Sequence, residues 1–553
     1  MKKTVTLFSA AVMISTAAAQ VALHGISVRG ELVETTATEP ELPEEFTDGF
    51  FIQNEDWFGH YLGSINWVGS DGTVYYNVDD KVNGAEVLGN TSQFGQIYGD
   101  YYYVTSKQAP RFIILDAKTL KVQKSFDTTG VGDGRDVLNV DDDKLYVGGA
   151  NGIIVYDKNE GVFKGQVEGT SGGQVGMMVR VGNYVFAAEQ STGVLVIDPA
   201  TDAVAQTIER TSAQGLTVTR DGHIWCTLPS ESSIMRIDPV TFETKVFEIG
   251  KTLVSLWGQC KPDYVCASYT EDALFVVNGA SRHDSAKLLS KFTIDENGDL
   301  VEDDTFQFTM PTTYTGLSFY GSPRINPNTG DLIATVMTYR GGNHELLYIN
   351  STTGEVKEEV DLFNDDGNQY YWFPSMPVFP DNNAPEVDID DISASIGDTF
   401  SYTVTEFLSD ADNLPALAVV EVETSDESIV TVGNDGLTFS VSAVGEGSAY
   451  IMLTANSNGR VIEKTISVEV ANGTSSADMA ADAGISIVMA GEKLRVAAPD
   501  AGTVVVFGMD GRQVLSQGFA GSATIDLAGL SNGAYIVKVV SANNLKTQKI
   551  VKM

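Results

Sequence analysis

The stretch Ile153-Ile-Val-Tyr-Asp157-Lys-Asn-Glu-Gly161-Val-Phe decides the fold. An apolar strand ends on an aspartate, a short polar turn follows, and a second strand begins. The same pattern stands at Ile113-Ile-Leu-Asp116-Ala-Lys-Thr, Leu195-Val-Ile-Asp198-Pro-Ala-Thr and Met235-Arg-Ile-Asp238-Pro-Val-Thr. Looser copies read Asn66-Trp-Val-Gly69-Ser-Asp-Gly, Phe292-Thr-Ile-Asp295-Glu-Asn-Gly and Leu347-Tyr-Ile-Asn350-Ser-Thr-Thr-Gly. Between anchors at 69, 116, 157, 198, 238, 295 and 350 the spacings are 47, 41, 41, 40, 57 and 55 residues. Seven all-β units with a period near forty predict a β-propeller with four strands per blade.

Working outward from residue 153, a typical unit has its innermost strand at Arg135-Asp-Val-Leu-Asn-Val, then Lys144-Leu-Tyr-Val-Gly-Gly, Gly152-Ile-Ile-Val-Tyr and Gly161-Val-Phe-Lys-Gly-Gln-Val. Asp, Asn and Gly suit the turns between them, because they accept positive φ or bond their own backbone. The first unit lacks an innermost strand, since the chain runs from Phe50-Phe-Ile-Gln directly to Ser64-Ile-Asn-Trp-Val. Ser375-Met-Pro-Val-Phe is the segment expected to supply it and close the ring. Pro374, Pro377 and Pro380 count against this, because proline cannot donate to a ladder.

At 553 residues, 43% hydrophobic and 20% charged, the chain is long enough for several folded domains. Lys2 and Lys3, an apolar run from Val5 to Ile14 and Ala17-Ala18-Ala19 read as a secretory signal over 1–19. No Cys near that junction offers a lipid anchor, and no later run of eighteen apolar residues predicts a membrane-spanning helix. A polar linker over 20–48 leads into the seven-bladed propeller, 49–381. Alternating runs such as Thr399-Phe-Ser-Tyr-Thr-Val and Ser448-Ala-Tyr-Ile-Met-Leu predict an immunoglobulin-like sandwich over 382–471. A small-residue linker, 472–483, precedes a last small β-sandwich, 484–553.

The net charge of −39 becomes −41 without Lys2 and Lys3, and since residues 484–553 carry +3, residues 20–483 hold −44. Such a surface repels nucleic acid and anionic membrane. Of three cysteines, Cys226 reads as a small buried hydrophobe, while Cys260 and Cys266 are placed to face each other across a hairpin as a disulfide.

A search for chemistry finds five histidines, none with metal-ligand spacing, and no nucleophile elbow, P-loop or dinucleotide fingerprint. Asp390, Asp410 and Asp412 lie in predicted loops at one end of the sandwich, where several oxygen ligands suit calcium. The propeller mouth carries the richest set of groups. Loops predicted to meet there supply Asn54, Glu55, Trp57, His60, Gln93, Phe94, Lys107, Arg111, Arg135, Gln174, Gln190, Gln214, Trp257, Arg324, Tyr339, His344, Tyr371 and Trp372. Flat rings provide contact area and amides fix orientation, as in a concave ligand site.

Phe51-Ile-Gln-Asn-Glu-Asp-Trp-Phe-Gly, with the Asp-Pro-x-Thr turns, resembles the YncE-like surface propellers of gut-type bacteria. Some relatives are lipoproteins that capture cobalamin, so the resemblance implies cobalamin among the ligands. The chain departs from them in lacking the lipobox Cys. Val504-Val-Val-Phe-Gly-Met-Asp-Gly-Arg512, then Gly533-Ala-Tyr535-Ile-Val-Lys-Val and Lys546-Thr-Gln-Lys549-Ile-Val-Lys552-Met, resembles a type IX secretion sorting domain. That implies the type IX machinery as partner, export across the outer membrane and display at the cell surface. Residues 385–471 resemble cadherin-like modules, which implies a spacer. The expected function is capture of a small molecule, glycan or protein ligand without catalysis. The alternatives are an extracellular lactonase-like or carbohydrate-active hydrolase and a structural or adhesive surface protein.

Overall fold

The computed structural model describes residues 40–56, 60–211, 213–254, 264–279, 286–311, 314, 316–317, 323–338, 344–362, 374–471, 485–509, 512–541 and 544–552. The expected signal, 1–19, and most of the linker expected over 20–48 lie outside these.

Six of the seven repeat anchors build a turn with their own side chains. Asp116 Oδ1 accepts the N–H groups of Lys118 and Thr119 at 3.1 and 2.8 Å, and Asp238 Oδ1 those of Val240 and Thr241 at 2.9 and 2.8 Å. Asn350 does the same for Thr352 and Thr353, both at 2.9 Å. Four residues past these anchors the chain turns left-handed, with φ of 56° at Leu120 and 62° at Phe242. Gly161 and Gly354 occupy the same place at 67° and 80° without the Cβ strain that Leu120 and Phe242 bear. In the first copy Gly69 has no side chain to offer, and Asp71 caps Thr73 N–H at 2.9 Å instead.

These hairpins assemble into seven successive antiparallel sheets. The third holds Gly134–Asn139, Lys144–Gly149, Gly152–Asp157 and Val162–Gln166 in chain order, and the second, fourth, fifth and sixth repeat that order. In the seventh, Gly316–Leu317 and Arg324–Ile325 both pair with Leu332–Met337. Gly193–Asp198, a third strand, is buried almost throughout, whereas the outermost Val162–Gln166 is largely exposed. Inner strands have neighbouring sheets on both faces and lose the apolar–polar alternation; outermost strands meet water and keep polar side chains.

The first sheet is completed from far along the chain, where Pro374–Val378 pairs with Gly49–Asn54. The prolines do not prevent this. Pro377 C=O accepts a hydrogen bond from Arg324 Nη1 at 3.0 Å, so it points away from Gly49–Asn54. The missing N–H lies on that same unladdered edge, where proline costs nothing. Phe50, Ile52 and Val68 of the first sheet share a core with Ile333, Leu346 and Leu362 of the seventh. Each such side chain contributes about 1.5–3 kcal/mol on burial. The sheet order is thus that of a propeller-like fold around a channel.

Residues 386–471 form a second β unit, with the three-stranded sheet Thr399–Thr403, Thr438–Ala443, Val430–Asn434 and the four-stranded sheet Ile392–Ser395, Arg460–Ala471, Gly447–Ser457, Val419–Thr424 over one core. This unit docks on the end of the channel that carries the aspartate turns. Asp381, 5% exposed, accepts Arg460 Nε at 3.0 Å and Asn458 Nδ2 at 2.8 Å. Burial lifts the Asp381 carboxyl to about 6 despite these donors. Gly99 N–H donates to Asn458 C=O at 2.8 Å, and Ala416 is fully buried among Val181, Leu216 and Val218.

Residues 486–552 form two further sheets over a core that includes Leu494, Val504, Val537 and Ile550. Lys552 Nζ donates to Leu530 C=O at 2.6 Å, and Lys546 Nζ to Ile485 C=O at 2.9 Å. Both lysines therefore tie loops of this unit together.

Candidate functional site

Antiparallel pairing places the strand ends opposite the aspartate turns at a common end of the channel. Asn54 closes Gly49–Asn54, Gln93 and Arg135 are second in Ser92–Tyr98 and Gly134–Asn139, and Gln214 opens Gln214–Val218. Gln174 precedes Val175–Val181, and His344 opens His344–Ile349. Trp57, Trp257, Tyr339, Tyr371 and Trp372, the aromatic half of the expected mouth, lie outside the described residues. His60 is exposed.

Within this end two networks form. Asn54 Nδ2 donates to Ser64 Oγ at 3.0 Å, and the Ser64 hydroxyl to Asp56 Oδ2 at 3.1 Å. Gln93 Nε2 donates to Glu55 Oε1 at 3.2 Å, with Lys107 Nζ 4.0 Å from the same oxygen. A few residues away, Arg135 Nη2 donates to Gln174 Oε1 at 3.3 Å. Gln214 receives the Thr227 hydroxyl on its backbone carbonyl at 2.8 Å. Asn54, Glu55, Gln93 and Arg135 are nearly inaccessible, yet several polar atoms here have no protein partner among the described residues. They are Gln53 Nε2, Asn54 Oδ1, Thr91 Oγ1, Gln93 Oε1, Thr105 Oγ1 and Glu189 Oε1. A buried polar atom without a partner costs about 1–3 kcal/mol, so such a concentration calls for water or ligand.

Arg324 does not join this end. It pairs opposite Ile333, deeper in the channel, where Nη1 donates to Gln96 Oε1 at 3.2 Å and to Pro377 C=O at 3.0 Å. Nη2 lies 3.0 Å from Met376 Sδ, and the guanidinium carbon is 5.6 Å from the Phe94 ring centre. Burial pulls the guanidinium below its ordinary value, partly offset by Tyr269 and Tyr102. It borders a cavity of about 240 Å³ that runs from Phe94 and Tyr98 to Asp412 and Leu414 of the second β unit. The composition of the strands did not reveal this cavity, because the second unit forms one of its walls.

Asp136 was also missed. Its Oδ2 accepts Met178 N–H at 2.6 Å and its Oδ1 Val137 N–H at 2.8 Å, clipping the third sheet to the fourth. Burial pushes its carboxyl well above the ordinary range. The available signal was an acid inside an apolar strand, at the register shift between Gly134 and Asp136.

One other expectation is corrected. Cys266 carries a free thiol, which burial pushes up to about 12, and it lines the channel cavity; Cys260 lies outside the described residues. Cys226 is fully buried in an apolar cluster. Among the described residues no group of three or more acidic, His or Cys side chains that could hold a metal is found. Asp410 instead caps Asp412 and Asn413 N–H groups at 2.8 and 3.1 Å and accepts the Ser457 hydroxyl at 2.6 Å. Asp412 Oδ2 accepts Asn382 and Asn383 N–H groups at 2.8 and 2.7 Å. Asp390 is exposed, with its charge felt at Tyr402.

Seven sheets around a polar-ended channel, followed by two smaller β units, define a β-rich propeller-like protein. Residues 490–553 match the secretion system C-terminal sorting domain, so the protein is secreted and attached at the outer cell surface through the type IX system. Residues 48–380 match the family described as domain of unknown function DUF5074, and the chain belongs to that family. No curated protein matches the chain. Among solved structures, a quinonprotein alcohol dehydrogenase-like protein from Bacteroides thetaiotaomicron is similar at 16% identity, over 61% of this chain and 79% of that one, with a TM-score of 0.46. A streptogramin B lyase is similar at 13% identity over 50% and 84%, TM-score 0.36. PorZ, a surface component of the type IX secretion system of Porphyromonas gingivalis, is similar at 10% identity over 88% and 90%, TM-score 0.30. At these values the likenesses carry no argument about activity. No helix among the described residues is long and apolar enough to cross a membrane.

Proposed function

We propose that the chain is a surface-displayed ligand-binding protein. The seven sheets are the blades of a seven-bladed, YncE-like propeller over 49–381, and residues 382–471 are an immunoglobulin-like module. A small molecule or glycan seats at the end of the channel built by Asn54, Glu55, Gln93 and Lys107. The observation that carries this reading is the set of buried, unpartnered polar atoms at that end, led by Asn54 Oδ1 and Gln93 Oε1. A ligand offering N–H or O–H donors completes both oxygens. The buried Glu55 carboxylate, held by Gln93 and Lys107, adds an acceptor for a hydroxyl-rich or amide-bearing partner.

The test is native mass spectrometry of the full chain secreted by its host, followed by titration with the molecule that co-purifies. Cobalamin, implied by the sequence resemblance, and neutral oligosaccharides serve as probes if none does. Gln93→Leu should weaken binding about tenfold or more, as removal of a buried hydrogen-bonding partner does. A chain that carries no ligand and takes up none of these probes would defeat the reading.

A further inference from the structure

We propose that the cavity between the channel and the second β unit is a second binding site, for a small aromatic acid whose carboxylate docks on Arg324. This site is independent of the opposite end of the channel. One guanidinium defines its polar end. Nη1 spends its two N–H groups on Gln96 Oε1 and Pro377 C=O, and Nη2 meets only the Met376 sulfur, a weak acceptor. Among the described residues Nε–H and the second Nη2 N–H have no protein acceptor, and no carboxylate lies within 4.0 Å of Arg324. A guanidinium with one edge anchored and the other edge free is a preformed fork for a carboxylate, which it takes in bidentate fashion.

The rest of the lining describes the body of the ligand. Phe94, Tyr98, Met177 and Tyr269 bring rings and a thioether to the wall, surfaces suited to an aromatic ring. The volume of about 240 Å³ exceeds the roughly 150 Å³ of a cavity that holds benzene, leaving room for a ring with short substituents. A second polar feature stands on the wall contributed by the second β unit. Asp412 is 6% exposed, its Oδ2 is occupied by the 382–383 backbone, and its Oδ1 has no partner. The Asp412 carboxylate calls for a donor on the ligand rather than a second negative group. An aromatic acid with a hydroxyl on the ring meets both demands.

Isothermal titration of the full chain with 4-hydroxyphenylacetate, phenylacetate and 4-hydroxyphenylacetamide tests the site. The hydroxy acid is expected to bind best, phenylacetate about fivefold or more weaker, and the neutral amide about tenfold or more weaker. Arg324→Gln should bring the hydroxy acid down to the level of the amide. Equal binding of acid and amide to the unsubstituted chain, or no binding of either acid at 10 mM, overturns the proposal without any variant. If Arg324→Gln lowers the melting temperature but leaves the acid's dissociation constant within twofold, Arg324 only ties sheets together and the assignment is wrong.

Discussion

Replacing Asp79 by asparagine should stabilise the protein at neutral pH. Asp79 lies in the short helix Val78–Asn83 beside the first sheet and is fully buried. Its Oδ1 accepts Ile65 N–H at 2.8 Å, while Oδ2 has no partner and no cation among the described residues pairs with it. Burial first, then the charge of Asp80, pushes the Asp79 carboxyl well above its ordinary range; Asp80 itself is lifted to about 6, by burial and then by Glu86. An acid whose pKa is raised on folding contributes stability that is complete below its unfolded value, near 3.9, and is lost as pH rises toward the folded value. The loss is about 1.4 kcal/mol per pH unit, so two units within that window remove up to about 3 kcal/mol. Asparagine keeps the acceptor for Ile65, replaces the protonated oxygen by an amide and binds no proton. Urea unfolding followed by the fluorescence of buried Trp67 and Trp225 measures the effect at pH 5, 6.5 and 8. The variant should gain most at pH 8 and little at pH 5, with a flatter dependence on pH. A variant less stable than the parent at pH 8, with an unchanged slope, would show that the carboxylate is charged and compensated.

Two further outcomes test the docking and the address. Gly436 has φ of 98°, and a Cβ there would lie 2.5 Å from Asn183 N and Gly182 Cα; Gly436→Ala should therefore loosen the second β unit, costing about 1–3 kcal/mol and speeding proteolysis between residues 380 and 420, and unchanged cleavage would refute the contact. Deleting residues 484–553 should leave the protein in the periplasm, measured by fractionation and surface protease accessibility, and undiminished surface display would contradict the sorting role.

Much of the first seven sheets was legible because each hairpin is specified locally. Asp116, Asp157, Asp198 and Asp238 cap their own turns, so one residue type at a fixed offset marks the regular repeats. Ring closure by Pro374–Val378 was legible from the missing strand, though three prolines argued against it; only the direction of the Pro377 carbonyl explains why they fit. The candidate site was legible in phase and not in depth. Strand polarity put Asn54, Gln93, Arg135 and Gln214 at one end, but Arg324 belongs to a strand whose pairing starts opposite Ile333, lower in the channel. Loop length between 295 and 350 hid that register. Asp79 and Asp136 escaped notice because burial, not sequence context, gives them their character.

By itself the sequence determined the repeat, the turn chemistry, the β-rich class and the C-terminal address, all of which depend on residues a few positions apart. Tertiary structure alone decided that the second β unit seats on the channel, that Cys266 stays a thiol, and that a half-buried arginine borders a cavity with a free edge. Those facts depend on which surfaces exclude water together. Segments some forty to three hundred and sixty residues apart must meet before any of them exists, as when Asn458 reaches the carbonyl of Ile97.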